Sequence, residues 1–146
     1  MKKMKGEVVI SMCEKHINQD LIEQAKDALH CAYVPYSEFK VGAAVYTNGK
    51  IYKGCNIENA SFGLTNCAER TAIFKAVSEG HKEIDAIAVI ADTVGPVSPC
   101  GACRQVMAEF CNQDTIIYLT NFKGETKEYT ISELLPGSFQ ATDMDK

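Results

Sequence analysis

Apolar residues recur at helical spacing through Leu21, Ile22, Ala25, Ala28, Leu29 and Ala32. This predicts an amphipathic helix that Asn18 or Asp20 can cap and that Pro35 stops. The period then changes. Residues 41–46 and 51–55 are apolar and β-prone, and they flank Asn48-Gly49, a dipeptide suited to a two-residue hairpin turn. A polar stretch, 56–65, leads to a second helical pattern that opens at Cys67, with Asn66 as N-cap and Glu69 in a capping-box position. It continues through Ile73, Phe74 and Val77 and ends at Gly80. Residues 84–91 are continuously apolar and β-branched, as in a buried strand. Ser98-Pro99 pairs a cap with a first-turn proline and opens a third helix through Val106, Met107 and Phe110. Residues 115–120 read as another buried strand, and Lys123-Gly124 turns the chain into 126–129. Thr130-Ile131-Ser132-Glu133 is a further capping box, and Pro136-Gly137 closes its short helix.

The succession helix, hairpin, helix, strand, helix, hairpin, short helix places the chain in the α/β class. Strand–helix–strand units in the middle predict parallel neighbours joined by right-handed crossovers. Short links at both ends require antiparallel edges. The expected product is a mixed five-stranded sheet with helices on both faces. Residues 1–16 read as an N-terminal extension and 17–146 as a single domain, with no internal repeat, low-complexity segment or linker.

Composition narrows the classes of function. The chain has 146 residues, enough for one core. Its net charge of −4 and the lack of any basic run beyond Lys2-Lys3-Met4-Lys5 argue against a polyanionic partner such as a nucleic acid. The apolar run 8–13 is short and closed by Glu14 and Lys15, so it reads as no secretion signal. No stretch approaches transmembrane length. Seven cysteines is an odd number, which fits a reducing cytoplasm better than a secreted disulfide framework. Cys13, Cys31, Cys55 and Cys111 read as free, packed or inert thiols. His16, His30 and His81 lie outside every motif and read as surface or packing residues.

Chemistry concentrates in Cys67-Ala68-Glu69 and Pro99-Cys100-Gly101-Ala102-Cys103. Three thiols stand at ligand spacing without an obvious fourth, and catalytic zinc sites differ from structural ones in leaving one position open. Cys67, Cys100 and Cys103 are expected in first turns of helices, where the positive end of the helix dipole favours thiolate over thiol. Zn²⁺ with three thiolates carries a formal charge of −1, so a group that draws charge off sulfur would restore its acidity. Arg70 is the candidate for that donor, with Arg104 a weaker one. Glu69 suits proton transfer beside the open position, or it caps its own helix. A structural zinc knuckle would need another ligand. A redox Cys-x-x-Cys pair would leave Cys67 and Glu69 unexplained, and the long interval between Cys67 and Cys100 is unlike a zinc ribbon.

A first ligand, one residue, Glu, and a later Pro-Cys-x-x-Cys form the signature of zinc deaminases, for which three Cys is a permitted ligand set. The chain more broadly resembles the small cytidine deaminases that act on free nucleosides. The resemblance runs from about Ile17 to Thr142, through residues 35–44, 54–60, 67–72, 99–105 and 134–139. It implies a three-layer fold, one Zn²⁺ per subunit, and hydrolytic deamination of cytidine and deoxycytidine in pyrimidine salvage. It further implies that Phe39 packs against the pyrimidine, that Asn56 and Glu58 hydrogen-bond the sugar hydroxyls, and that Ala68 offers backbone groups to the base. Phe139 would stack over the base in a neighbouring subunit's site, since members of this length with three Cys ligands are homotetramers. Phe62 stands where relatives often carry Tyr. By themselves, Asn56 and Glu58 would be loop polars that face one side of an extended segment, and Phe39 and Phe139 would be core or tail anchors. Deamination of a cytosine-containing antibiotic such as blasticidin S is the alternative within the class, and a non-catalytic zinc or redox protein is the alternative outside it. Polynucleotide editing is disfavoured, because 121–124 leave no room for a helix between the last two strands.

Overall fold

The computed structural model describes the backbone of residues 2–145 and the side chains of residues 16–145. The elements are α1 (Lys2–Leu29), β1 (Val41–Thr47), β2 (Lys50–Cys55), α2 (Ala68–Ser78), β3 (Ile84–Ala91), α3 (Gly101–Phe110), β4 (Cys111–Asn121), β5 (Thr126–Tyr129) and α4 (Ile131–Leu134). Short 3₁₀ turns occupy Phe62–Leu64 and Ala141–Met144. The five strands form one mixed sheet in the order β2-β1-β3-β4-β5, and the expected architecture holds.

The hairpin turn forms as the sequence requires, with Asn48 and Gly49 both at positive φ, 50° and 75°. Both edges are antiparallel, and β3 and β4 run parallel around α3. The other strand–helix–strand unit departs from expectation. β2 and β3 are not neighbours, because β1 lies between them and pairs antiparallel with each. The hairpin folds β1 back into the inner position, so α2 must carry the chain past one strand.

Side chains of β3 alternate between two cores, as strand geometry dictates. Ala86, Ala88 and Ile90 meet Leu21, Ala25 and Leu29 of α1. Ile87 and Val89 meet Ile73 of α2 and Met107 of α3 on the opposite face. Each fully buried side chain of this size contributes about 1.5–3 kcal/mol of apolar burial. Two glycines set how closely the layers approach. A Cβ at Gly42 would lie 2.8 Å from the Leu29 nitrogen and collide with the Ala25 carbonyl. One at Gly54 would lie 2.6 Å from the Ala68 carbonyl and collide with the Ala72 nitrogen. Only a missing side chain lets α2 settle on β2 at that distance.

Three helix starts differ from the sequence reading. α1 does not begin at Asn18 or Asp20 but runs unbroken from Lys2. A capping residue permits a start without imposing one, and no proline interrupts the preceding stretch. α2 takes Cys67 as its N-cap, one residue later than expected. α3 takes Cys100, with Ser98-Pro99 as lead-in rather than first turn. The Thr130–Glu133 capping box is present as read.

Candidate active site

The metal-ligand candidates come together because two helices begin side by side at one end of the sheet. Cys67 and Cys100 are the N-caps of α2 and α3, and Cys103 is one turn into α3. Side chains tilt toward a helix N-terminus, so all three sulfurs gather beyond the two helix ends. They lie within 4.8 Å of one another, and Cys67 Sγ is 3.8 Å from Cys100 Sγ. Tetrahedral Zn–S bonds of ~2.3 Å imply S···S edges of ~3.8 Å, which the Cys67–Cys100 edge matches; the donor set and its spacing fit the ion. Cys13 lies outside the residues whose side chains are described; among the others, Cys31, Cys55 and Cys111 are free and apart from the cluster.

The electrostatics of the thiols are uneven. Cys103, as hydrogen-bond donor, holds the Cys67 thiol down to about 5; burial opposes this shift, and Arg70 adds to it. The same contact, burial and the charge of Glu69 push the Cys103 thiol far up. Arg70 Nη2 donates to Cys67 Sγ at 3.4 Å. The contact expected of Arg70 is therefore made. Arg104 makes none to sulfur: it donates to Pro99 O (3.0 Å), Leu134 O (2.6 Å) and Ser98 Oγ (2.8 Å).

Glu69 is 4% exposed. Burial pushes its carboxyl up, and the neighbouring Cys67 charge adds to that. It closes no capping box, because the helix begins one residue late and no side chain caps it. Asn66 instead donates to Thr71 Oγ1 at 3.0 Å. The carboxylate is left facing a cleft of about 190 Å³ whose lining includes Phe39, Asn56, Cys67, Ala68 and Cys100.

Of the expected substrate contacts, the cleft gathers Phe39, Asn56 and Ala68. Asn56 Oδ1 accepts from Val41 N–H (2.9 Å), and its Nδ2 donates to Phe39 O (2.7 Å). Glu58 lies outside the lining. Its Oε1 accepts from the N–H groups of Tyr36 (3.0 Å) and Ser37 (3.1 Å), and bonding led by the Ser37 hydroxyl holds the carboxyl below its usual range. Phe139 is 58% exposed and absent from its own chain's cleft. Val41, Thr65, Asn66, Val89, Val97 and Ser98 complete the lining, and the sequence reading places none of them there. In the sequence Asn66 and Ser98 read only as caps, Val41 and Val89 as strand residues and Thr65 as part of a polar stretch, while Val97 carries no signal.

The family described as the cytidine and deoxycytidylate deaminase zinc-binding region matches residues 15–120. A cytidine deaminase of Halalkalibacterium halodurans is 62% identical over 128 residues, 87% of this chain and 97% of that one. This chain belongs to the cytidine deaminase family. The crystal structure of the cytidine deaminase from Burkholderia pseudomallei superposes with a TM-score of 0.80 at 52% identity, covering 83% of this chain and 98% of that one. A blasticidin-S deaminase of Bacillus cereus is more distant, 32% identical over 126 residues, 80% of this chain and 88% of that one. Membership agrees with the three-thiol cradle, and the metal is zinc. The three histidines of this cytidine deaminase family member are not part of the cleft lining. His16 and His30 are not buried, and the His81 ring sits 5.7 Å from Tyr52. Among the described residues no helix is long and apolar enough to cross a membrane, and the short link after β4 holds no inserted helix.

Proposed function

We propose that the chain is a hydrolase acting on the C–N bond of a cyclic amidine, converting cytidine and deoxycytidine to uridine and deoxyuridine with release of ammonia. The observation that carries this reading is the buried Glu69 carboxylate, which shares one cleft with two of the three clustered thiols and with Phe39, Asn56 and Ala68. Cys67, Cys100 and Cys103 would hold zinc, which when bound would supply a Lewis acid that acidifies water. Glu69 would take a proton from the attacking water as the water oxygen bonds to C4 of the base, and deliver that proton to N3. The same carboxyl would then move the proton of the new C4 hydroxyl to the amine, so that C4=O forms as the C4–N bond breaks and ammonia leaves. Arg70, through its bond to Cys67 Sγ, draws negative charge off the thiolate.

Phe39 packs against the pyrimidine, and the backbone of Ala68 receives the base. Asn56 and Glu58 serve the sugar hydroxyls, and their existing bonds to residues 36–41 hold the loop that carries Phe39. The active assembly is a homotetramer in which Phe139 covers a neighbouring subunit's base. An exposed ring on a tail that is otherwise mostly polar supports that role. Phe62, 74% exposed and set edge-on to Tyr36, brings no hydroxyl to the same interface. Residues 17–146 form the deaminase domain and 1–16 an extension of it, and the enzyme works in cytoplasmic pyrimidine salvage.

The test is purified protein with cytidine, deoxycytidine, cytosine, CMP and blasticidin S, following ultraviolet loss and ammonia release. Turnover of the two nucleosides is expected. Turnover of blasticidin S alone would favour the antibiotic reading, for which the Bacillus cereus relative is the supporting observation.

A further inference from the structure

Two adjacent residues on α3 reach away from the metal cluster toward the C-terminal tail. Arg104 Nη1 donates to Leu134 O at 2.6 Å, which fixes the last residue of α4. Gln105 Nε2 donates to Phe139 O at 2.9 Å. Between these anchors lies only Leu135-Pro136-Gly137-Ser138, with Gly137 at φ 67°. The backbone of Phe139 is thus tied to the helix that carries Cys103, while its ring is left exposed. Gln105 itself lines no part of the cleft.

We infer that Gln105 is a positioning residue for a neighbouring subunit: its amide N–H holds the Phe139 backbone and so sets where that ring is presented to the neighbour's base. This rests on the reading of Phe139 as a shared-site residue. A ring on a free tail would lose freedom each time it closed a pocket, whereas a tethered one is pre-organised. The tether also joins each subunit's own metal-binding helix to the aromatic it lends.

Gln105→Ala should raise KM for cytidine by ~2–10-fold, the range of one hydrogen bond in this setting, with zinc content and Tm unchanged. Gln105→Glu keeps the shape but sets a carboxylate against the Phe139 carbonyl, so KM should rise at least as far as in the alanine variant; full rescue by Glu would mean that packing rather than the N–H matters, and would overturn the inference. Hybrids decide whether the effect crosses between subunits. When Gln105→Ala subunits are co-assembled with Glu69→Gln subunits, all activity comes from the former, and some of their sites receive an intact tail. A partial return of KM toward wild type is expected, and a KM that stays raised in verified hybrids would overturn the inference. Phe139→Ala separates the two levels. If it raises KM while Gln105→Ala does not, the tether alone is wrong. If Phe139→Ala changes nothing, the shared-site reading fails and the tether with it.

Discussion

At its metal end the cleft presents groups whose proton occupancy is open to change. The Cys67 thiol is held low and the Cys103 thiol high, a buried carboxyl sits high, and a guanidinium leans on sulfur. At its loop end the same kinds of atoms are already committed. Glu58 receives two backbone N–H groups, and Asn56 spends both ends of its amide on residues 39 and 41. The first arrangement suits chemistry, which needs groups that gain and lose protons. The second suits recognition, which needs groups that stay put and share remaining lone pairs with a ligand. Helix ends build one, and side chain–backbone bonds within a loop build the other.

If this division holds, substitutions at the metal end act on kcat and those at the loop end on KM. The largest effect is expected of Glu69→Gln, which removes a positioned proton carrier worth ~10²–10⁴ in rate. Bound zinc and the melting curve should stay as in wild type, and near-normal turnover would end the proton-transfer assignment. Cys100→Ala is its complement: zinc content should fall, and the melting temperature with it, because metal binding is coupled to folding.

Arg70→Gln should cost ~10–100-fold in activity or metal affinity, as for outer partners of metal ligands generally. A rate and pH profile equal to wild type would show that the 3.4 Å contact to Cys67 Sγ carries no charge withdrawal. At the loop end, Asn56→Ala or Glu58→Gln should raise KM by ~10-fold with a smaller change in kcat, since hydrogen bonds to polar and charged groups are worth about 1–3 kcal/mol. A fall in kcat alone would break the comparison. CMP should be excluded at this end, because its phosphate brings negative charge toward Glu58.

The smallest expected effect sharpens the contrast with one residue type in two settings. After zinc chelation Cys67, held near 5, should react with a thiol reagent at neutral pH. Cys111, pushed to about 12 by burial, should not. The sign for stability follows. Burial favours the neutral Cys111 thiol, so its contribution is complete below the ordinary thiol value and fades as pH rises toward 12. Cys111→Ala should flatten the alkaline limb of a stability–pH curve.

The strands were legible because their signals are local. Residues 84–91 and 126–129 match β3 and β5, and Asn48-Gly49 marks its hairpin. The inner position of β1 was not, because pairing partners are chosen in space and a helix such as α2 can span one strand as well as none. The metal cluster was readable from spacing plus residue type. Thr65, Val89 and Val97 were not, since an apolar or small polar side chain looks the same in sequence whether it meets a core or a cleft. The direction of Arg104 was unreadable for a related reason. Its partners include two backbone carbonyls, which every residue possesses.

The seat of α2 on β2, with Gly54 against the Ala68 carbonyl and the Ala72 nitrogen, leaves that wall of the cleft no slack. Laboratory evolution toward bulkier bases or altered sugars would therefore find its productive variants at lining residues outside this contact, Phe39, Thr65 and Val97. Libraries aimed at residues 54, 68 or 72 would return mostly unfolded chains.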